Sequence, residues 1–194
     1  MIETFIIHHV EKIITKQKPN ALIFQDYNKG VLTSKTIKEI IQLCICNNIP
    51  FFVDPKFESW SAYQHCTIFK PNMNEFNFYC NELNIKQKIK DSIVEIKKKV
   101  AAKNVLITLG KKGNIYINEE QKIILKKANK IIQHADVCGA GDSVIATICL
   151  AYLAKLNMNT IAELANIAGS IACMHENIYA ISINDIIDSF DKKL

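Results

Sequence analysis

The chain contains no arginine: its 24 basic residues are all lysines, set against 19 Asp and Glu for a formal net charge of +5. Beside abundant Ile, Asn and Lys, the missing guanidinium reads as codon bias toward AT-rich DNA and carries no chemistry of its own. The positive excess is mild. Lys and Glu interleave through residues 86–103 as on a solvated helix face, which argues against nucleic acid as a partner. Also lacking is any Cys-x-x-Cys pair. The seven cysteines (Cys44, Cys46, Cys66, Cys80, Cys138, Cys149, Cys173) are odd in number and mostly sit in apolar runs, which fits buried thiols in a reducing compartment rather than a zinc site or disulfide framework. Cys44 and Cys46, the close pair, are two residues apart in a predicted helix and point in divergent directions. The longest apolar stretch, 144–154, is too short to cross a bilayer, and no basic stretch followed by an apolar one opens the chain. The expectation is a cytoplasmic protein with neither membrane nor zinc.

What is present is a 194-residue chain, 49% hydrophobic and 22% charged, the make-up of one soluble domain, 1–194, with a real core. Helical and strand-like segments alternate without internal repeats, the pattern of a mostly parallel α/β sheet. Phe5, Ile6, His9, Val10, Ile13 and Ile14 recur at helical spacing. Strands are expected at 21–25, 50–53, 67–69 and 105–108, and helices at 35–47 and, Lys-rich, at 85–101. A β-hairpin is expected from the alternation at Ile115 and Ile117, a turn at 118–121 and a return at 122–125. A further helix is expected to about residue 154, then two near 160–175 and 183–191. Polar residues cluster after the strands, at the edge where open α/β sheets bind ligands, so Asp26, Asp54, Lys56, Asn72 and Glu75 are expected to share one cleft.

The strongest local signal is Asp136-Val137-Cys138-Gly139-Ala140-Gly141-Asp142-Ser143. Two glycines allow a tight turn into a helix whose unpaired N–H groups and dipole favour an anion such as phosphate. Asp142, in the same turn, can accept a proton from an attacking hydroxyl while the amides stabilise charge on the transferred group. The plainer reading is a Gly-rich helix start with Asp142 placed for the dipole. No Lys and Ser or Thr follow the last glycine, so this is not a Walker A loop, and the third glycine of a dinucleotide fingerprint is absent.

The octet is similar to the Asp-Thr-x-Gly-Ala-Gly-Asp signature of the ribokinase (PfkB) family of sugar kinases, with Val137 in the usual Thr place. Pro71-Asn72-Met73-Asn74-Glu75 resembles that family's Asn-x-x-Glu motif, and Thr108-Leu109-Gly110-Lys111-Lys112-Gly113 resembles its Thr-x-Gly-x-x-Gly nucleotide loop. Asp26-Tyr27-Asn28-Lys29-Gly30 and Val53-Asp54-Pro55-Lys56 resemble the branch of heptose 7-phosphate kinases that form the kinase half of bifunctional ADP-heptose synthesis proteins. The resemblance implies a three-layer α/β/α, ribokinase-like (Rossmann-like) domain that uses ATP and Mg2+ on a sugar phosphate, at the anomeric hydroxyl in the heptose branch.

By the same resemblance Asp142 is the catalytic base and 139–141 the anion turn; Thr108, Gly110, Gly113 and Asn166 bind nucleotide; Asp26, Lys29, Asp54 and Lys56 bind substrate; Asn72 and Glu75 serve the metal. Each has a plainer role: Asn72 and Glu75 fit a helix-capping pair, the glycines fit hairpin punctuation, the aspartates end strands and the lysines are surface charges. His8, His9, His65, His134 and His175 form no pattern. Members of this family begin with a section that carries sugar-binding residues and a small β lid, and this sequence has no counterpart to it. Ser170 and Asn177 stand where relatives have glycine, so the adenine pocket is expected to differ. No His-x-Gly-His nucleotidyltransferase motif occurs. Another sugar kinase of fructokinase or ribokinase type, or a non-catalytic nucleotide-binding remnant, are the alternatives. A second copy or a separately encoded N-terminal portion are the protein partners left open.

Overall fold

The computed structural model describes residues 2–128, 139–175 and 177–191. Six strands, β1 (Leu22–Gln25), β2 (Phe51–Asp54), β3 (Ile68–Phe69), β4 (Asn104–Thr108), β5 (Asn114–Ile117) and β6 (Ile123–Lys126), lie side by side in chain order. The first four are parallel, and β5 and β6 continue the sheet by antiparallel hairpins. Seven helices accompany them: α1 (Ile2–Gln17), α2 (Ser34–Cys46), α3 (Met73–Glu82), α4 (Ile89–Lys99), α5 (Ala140–Leu153), α6 (Met158–Met174) and α7 (Ile183–Asp191).

Successive strand residues face opposite sides of a sheet, and the apolar runs supply both faces. Phe24, Phe51, Val53, Phe69, Val105, Ile107, Ile115 and Ile117 point to the side covered by α1–α4. Phe52, Ile68, Leu106 and Tyr116 point to the side covered by α5 and α6. The result is three layers, α/β/α, as expected. Burying a side chain such as Phe52 or Phe69 contributes about 1.5–3 kcal/mol. Because α2 and then α3 with α4 return the chain between parallel strands, the C-terminal ends of β1–β4 open onto one edge of the sheet.

One boundary differs from expectation: the helix expected over 85–101 begins only at Ile89, while α3, expected only through the capping pair Asn72 and Glu75, is a helix of its own. Between them Asn84 takes a left-handed φ of 54°, and the Ile85 N–H closes on the Cys80 carbonyl, ending α3 and returning Ile85 to the core. Cys44 is fully buried and Cys46 exposed, the divergence their spacing requires. Burial pushes the Cys44 thiol up to about 12. Among the described residues, no helix is long and apolar enough to cross a membrane.

Candidate active site

Alternation along the strands decides which polar residues meet. Residues two places after Ile23, Phe52, Ile68 and Leu106 must face α5, and these are Gln25, Asp54, Lys70 and Thr108. They line one cavity of about 900 Å³ together with Tyr27, Lys56, Asn72, Gly110, Gly113, the start of α5 and, from α6, Asn166, Ser170 and Cys173.

On the β1–β3 side the side chains join hand to hand. The Gln25 Nε2 amide donates to Asp54 Oδ2 at 3.0 Å and to Asp142 Oδ1 at 2.8 Å, bridging two carboxylates with one group. Tyr27 donates its hydroxyl to Asp142 Oδ2 at 2.7 Å. Asp54 Oδ1 meets the Lys70 ammonium at 2.9 Å, and both residues are buried. A buried lysine is tolerable here because its charge is matched and hydrogen-bonded.

Helix α5 begins above this network. Gly139 is its N-cap with φ 75°, and the first helical bond in this turn runs from Ser143 N–H to the Gly139 carbonyl. The amides of Ala140, Gly141 and Asp142 therefore have no partner inside the helix, and with the helix dipole they form an anion site at the cavity wall. Gly141 is required by closeness: a Cβ there would stand 3.2 Å from Asp54 Oδ2 and 3.6 Å from Lys70 Nζ. Asp142, in the same turn, is exposed to the cavity. The Asp142 carboxylate, the amides of 140–142 and the buried Lys70 ammonium thus gather around the first turn of α5. Residues 136–138, the start of the glycine-rich octet, lie outside the described residues.

The β4–β6 side is built from backbone. Thr108 donates its N–H to the Pro71 carbonyl and bridges Asn72 in parallel register, which sets two of the sequence motifs side by side. Gly110 and Gly113 both have positive φ, 56° and 97°, and a Cβ on Gly113 would fall 2.0 Å from the Lys126 carbonyl oxygen. Asn166, nearly buried, donates to the Lys126 and Lys127 carbonyls and accepts from the Asn114 side chain, so it ties α6 to the end of β6.

Of the residues expected at the site, Asp142, Gly139, Ala140, Gly141, Thr108, Gly110, Gly113, Asn166, Asp54, Lys56 and Asn72 do line the cavity. Asp26 and Lys29 do not. Asp26 alternates with Phe24 and so faces the α1–α4 layer, buried against Tyr63, whose hydroxyl donates to it at 2.8 Å. Lys29 is exposed on the loop beyond β1. Glu75 sits behind the wall at 1% exposure, one carboxylate oxygen taking the Asn72 N–H at 2.8 Å and the other Lys56 at 2.6 Å. Burial works against the Lys56 ammonium, but its bond to Glu75 and the charges of Glu75, Asp54 and Asp26 outweigh it and hold the lysine pKa above its usual value. Asn72 and Glu75 form a complete capping box at the start of α3. This donor set fits a magnesium ion reached through phosphate oxygens and water, with Asn72 at the wall, and not one ligated by a Glu75 whose two oxygens are already engaged. Ser170 lines the cavity whereas Asn177 does not. Gln25, Tyr27 and Lys70 were not singled out from the sequence; the period-two partnership of Lys70 with Ile68 is the signal that marks it.

The same architecture occurs in solved sugar kinases. Phosphofructokinase-2 from Escherichia coli, in complex with potassium, superposes with a TM-score of 0.80 at 19% identity, covering 96% of this chain and 61% of that one. Ribokinase from Arabidopsis thaliana, complexed with ribose and ATP, gives 0.73 at 16%, covering 94% and 57%. The family model for pfkB family carbohydrate kinases matches residues 10–184, and the chain belongs to that family. Among its relatives are the bifunctional protein HldE of Sulfurimonas denitrificans, 32% identical over 183 residues, and that of Campylobacter jejuni, 32% identical over 179. These alignments take in 93% and 90% of this chain but only 37% and 38% of the relatives.

Proposed function

We propose that the chain carries the nucleotide-binding and phosphoryl-transfer part of an ATP-dependent sugar kinase whose acceptor is a sugar phosphate, heptose 7-phosphate at its anomeric hydroxyl. The observation that carries the reading is Asp142: an exposed carboxylate in the first turn of a helix whose first amides have no partner within the helix and border the same cavity. In this reading the amides of 140–142 hold the transferred phosphoryl group and Asp142 takes the proton of the attacking hydroxyl. Lys70 supplies positive charge beneath them. Magnesium, when bound with the nucleotide, neutralises phosphate charge. The glycine turn at 110–113 and Thr108 border the nucleotide, and Asp54 and Lys56 border the sugar phosphate. Similarity to the HldE proteins supports the heptose assignment over a fructokinase or ribokinase type, and supports a place in ADP-heptose and lipopolysaccharide core synthesis in the cytoplasm. Asp26 and Lys29 enter only as a support beneath the site and as a charge on a loop that would face the sugar.

A non-catalytic nucleotide-binding role is the second reading, since Thr108, the glycine turn at 110–113 and the amides of 140–142 line a cavity that would hold a nucleotide whether or not transfer follows. Calorimetry with Mg-ATP tests both, and millimolar or tighter binding is expected. ADP release dependent on heptose 7-phosphate, assayed with a polypeptide supplying the section found in full-length relatives, then separates them. Asp142→Asn keeps the shape of the side chain and removes the proton acceptor, so turnover is expected to fall about a hundredfold to ten-thousandfold with nucleotide affinity little changed. Absence of nucleotide binding by folded protein would reject both readings. Full turnover in Asp142→Asn would remove Asp142 from the role of base.

A further inference from the structure

The Tyr27 hydroxyl is hydrogen-bonded to Asp142, the residue proposed above as the base. Of the two oxygens of Asp142, Oδ1 accepts from Gln25 and Oδ2 accepts from Tyr27 at 2.7 Å. A hydroxyl that donates its hydrogen bond to a general base is arranged to lose that proton as its oxygen attacks. The tyrosine lines the same cavity as the amides of 140–142, and the residue is 55% exposed. It is also tethered to the end of β1, and tethering replaces an acceptor-binding site by a high effective concentration of the acceptor.

From this we propose that Tyr27 is itself a phosphoryl acceptor, and that with nucleoside triphosphate bound the chain phosphorylates its own Tyr27. The proposal rests on the nucleotide-binding reading above. In the step, the Tyr27 oxygen forms a bond to the γ-phosphorus, the bond from that phosphorus to the bridging oxygen of the β-phosphate breaks, nucleoside diphosphate leaves, and the phenolic proton passes to Asp142. The product carries close to two negative charges beside Asp54 and Asp142 and occupies the acceptor position, so the reaction stops at a single transfer per chain. A sugar acceptor contends with Tyr27 for Asp142 Oδ2, and its presence therefore suppresses the self-transfer.

The test uses the chain alone with γ-labelled Mg-ATP, following incorporation by intact mass and mapping the site by peptide fragmentation. Expected is incorporation approaching one phosphoryl group per chain, on Tyr27, with a first-order rate constant independent of protein concentration. Asp142→Asn is expected to slow it at least about a hundredfold. Tyr27→Phe should abolish it, with calorimetry confirming that the variant still binds nucleotide. Nucleotide that binds without producing phosphotyrosine overturns this proposal and leaves the kinase reading standing. So does label that survives Tyr27→Phe, or a rate constant that rises in proportion to protein concentration. Failure of nucleotide to bind overturns both, and the calorimetric trace tells the two failures apart.

Discussion

The two sides of the cavity are made in different ways. From β1 to β3 it is a chain of side chains, Tyr27 to Asp142 to Gln25 to Asp54 to Lys70, each holding the next across separate elements. From β4 to β6 it is a chain of backbone, a glycine turn fitted under the Lys126 carbonyl with Asn166 clamping the strand end above it. A side-chain network fixes charge and proton positions and is vulnerable to loss of any partner; a backbone turn fixes shape and is vulnerable to any added atom. The first suits a place where a proton moves. The second suits a place where a ligand must be approached closely.

The contrast predicts opposite kinds of damage. Lys70→Ala leaves Asp54 buried without its cation, and chemical denaturation should show a loss of about 3–5 kcal/mol. Removing both charges, as Lys70→Met with Asp54→Leu, should recover more than half of that, since the cost lies in the orphaned charge. If the double variant is no better than the single one, the network is not charge-coupled. On the other side an addition does the harm: Gly113→Ala combines a left-handed φ with a Cβ placed against the Lys126 carbonyl, and a loss of about 2–4 kcal/mol is expected. Gly110 has open space around the same position and should lose only about 1 kcal/mol as alanine, from its φ. Equal losses at the two glycines would mean that the hairpin does not press on Gly113.

That difference also sets what could be read beforehand. Backbone turns leave marks in the sequence: Gly110, Gly113, Gly139 and Gly141 are recognisable because few other residues tolerate their conformations or neighbours. The parallel strands and the hairpin were legible from apolar runs and alternation. Side-chain networks leave no such marks. The bond from Tyr27 to Asp142 spans 115 positions, and nothing local in Gln25 distinguishes a bridging amide from an ordinary strand end. Asp26 was grouped with the cleft because all polar residues after strands were treated alike; the alternation that already ran through Phe24 turns it the other way. Helix α3 was legible only at its start, as the capping pair Asn72 and Glu75, because the aromatic and Asn residues that follow are weak helix formers.

The boundary between the two sides runs through Asn72, which both lines the cavity and caps α3. Its Oδ1 accepts from the Asn74 and Glu75 amides at 2.9 and 3.0 Å. Asn72→Ala should cost about 1–2 kcal/mol by the loss of this cap. Asn72→Ser keeps a capping oxygen but withdraws the amide group from the cavity, and should fall within about 0.5 kcal/mol of the native protein. If Asn72 acts only as a cap, magnesium dependence of nucleotide binding is unchanged in the Ser variant. A weakened dependence assigns it to the ligand side of the comparison.

The smallest effect concerns Lys56, whose ion pair with Glu75 joins the loop after β2 to the capping box. Its pKa is raised in the folded state above the ordinary lysine value of 10.5, because the Glu75 bond and the surrounding carboxylates outweigh the opposing effect of burial. A raised folded-state pKa means the stabilisation is fully present below 10.5 and is lost as pH rises through the folded value, so it lies in the alkaline range and not near neutrality. The lysine side chain is 31% exposed, so solvent screens the pair and its contribution stays below about 1 kcal/mol. Other lysines and tyrosines titrate in the same range. The measurement is therefore the difference in unfolding free energy between native protein and Lys56→Met, followed from pH about 8 to about 11.5, across the ordinary lysine pKa. The native advantage should be flat to about pH 10 and shrink above it. A difference that stays constant through the alkaline range would show that Lys56 contributes by packing alone, and would leave Glu75 with the Asn72 amide as its sole working partner.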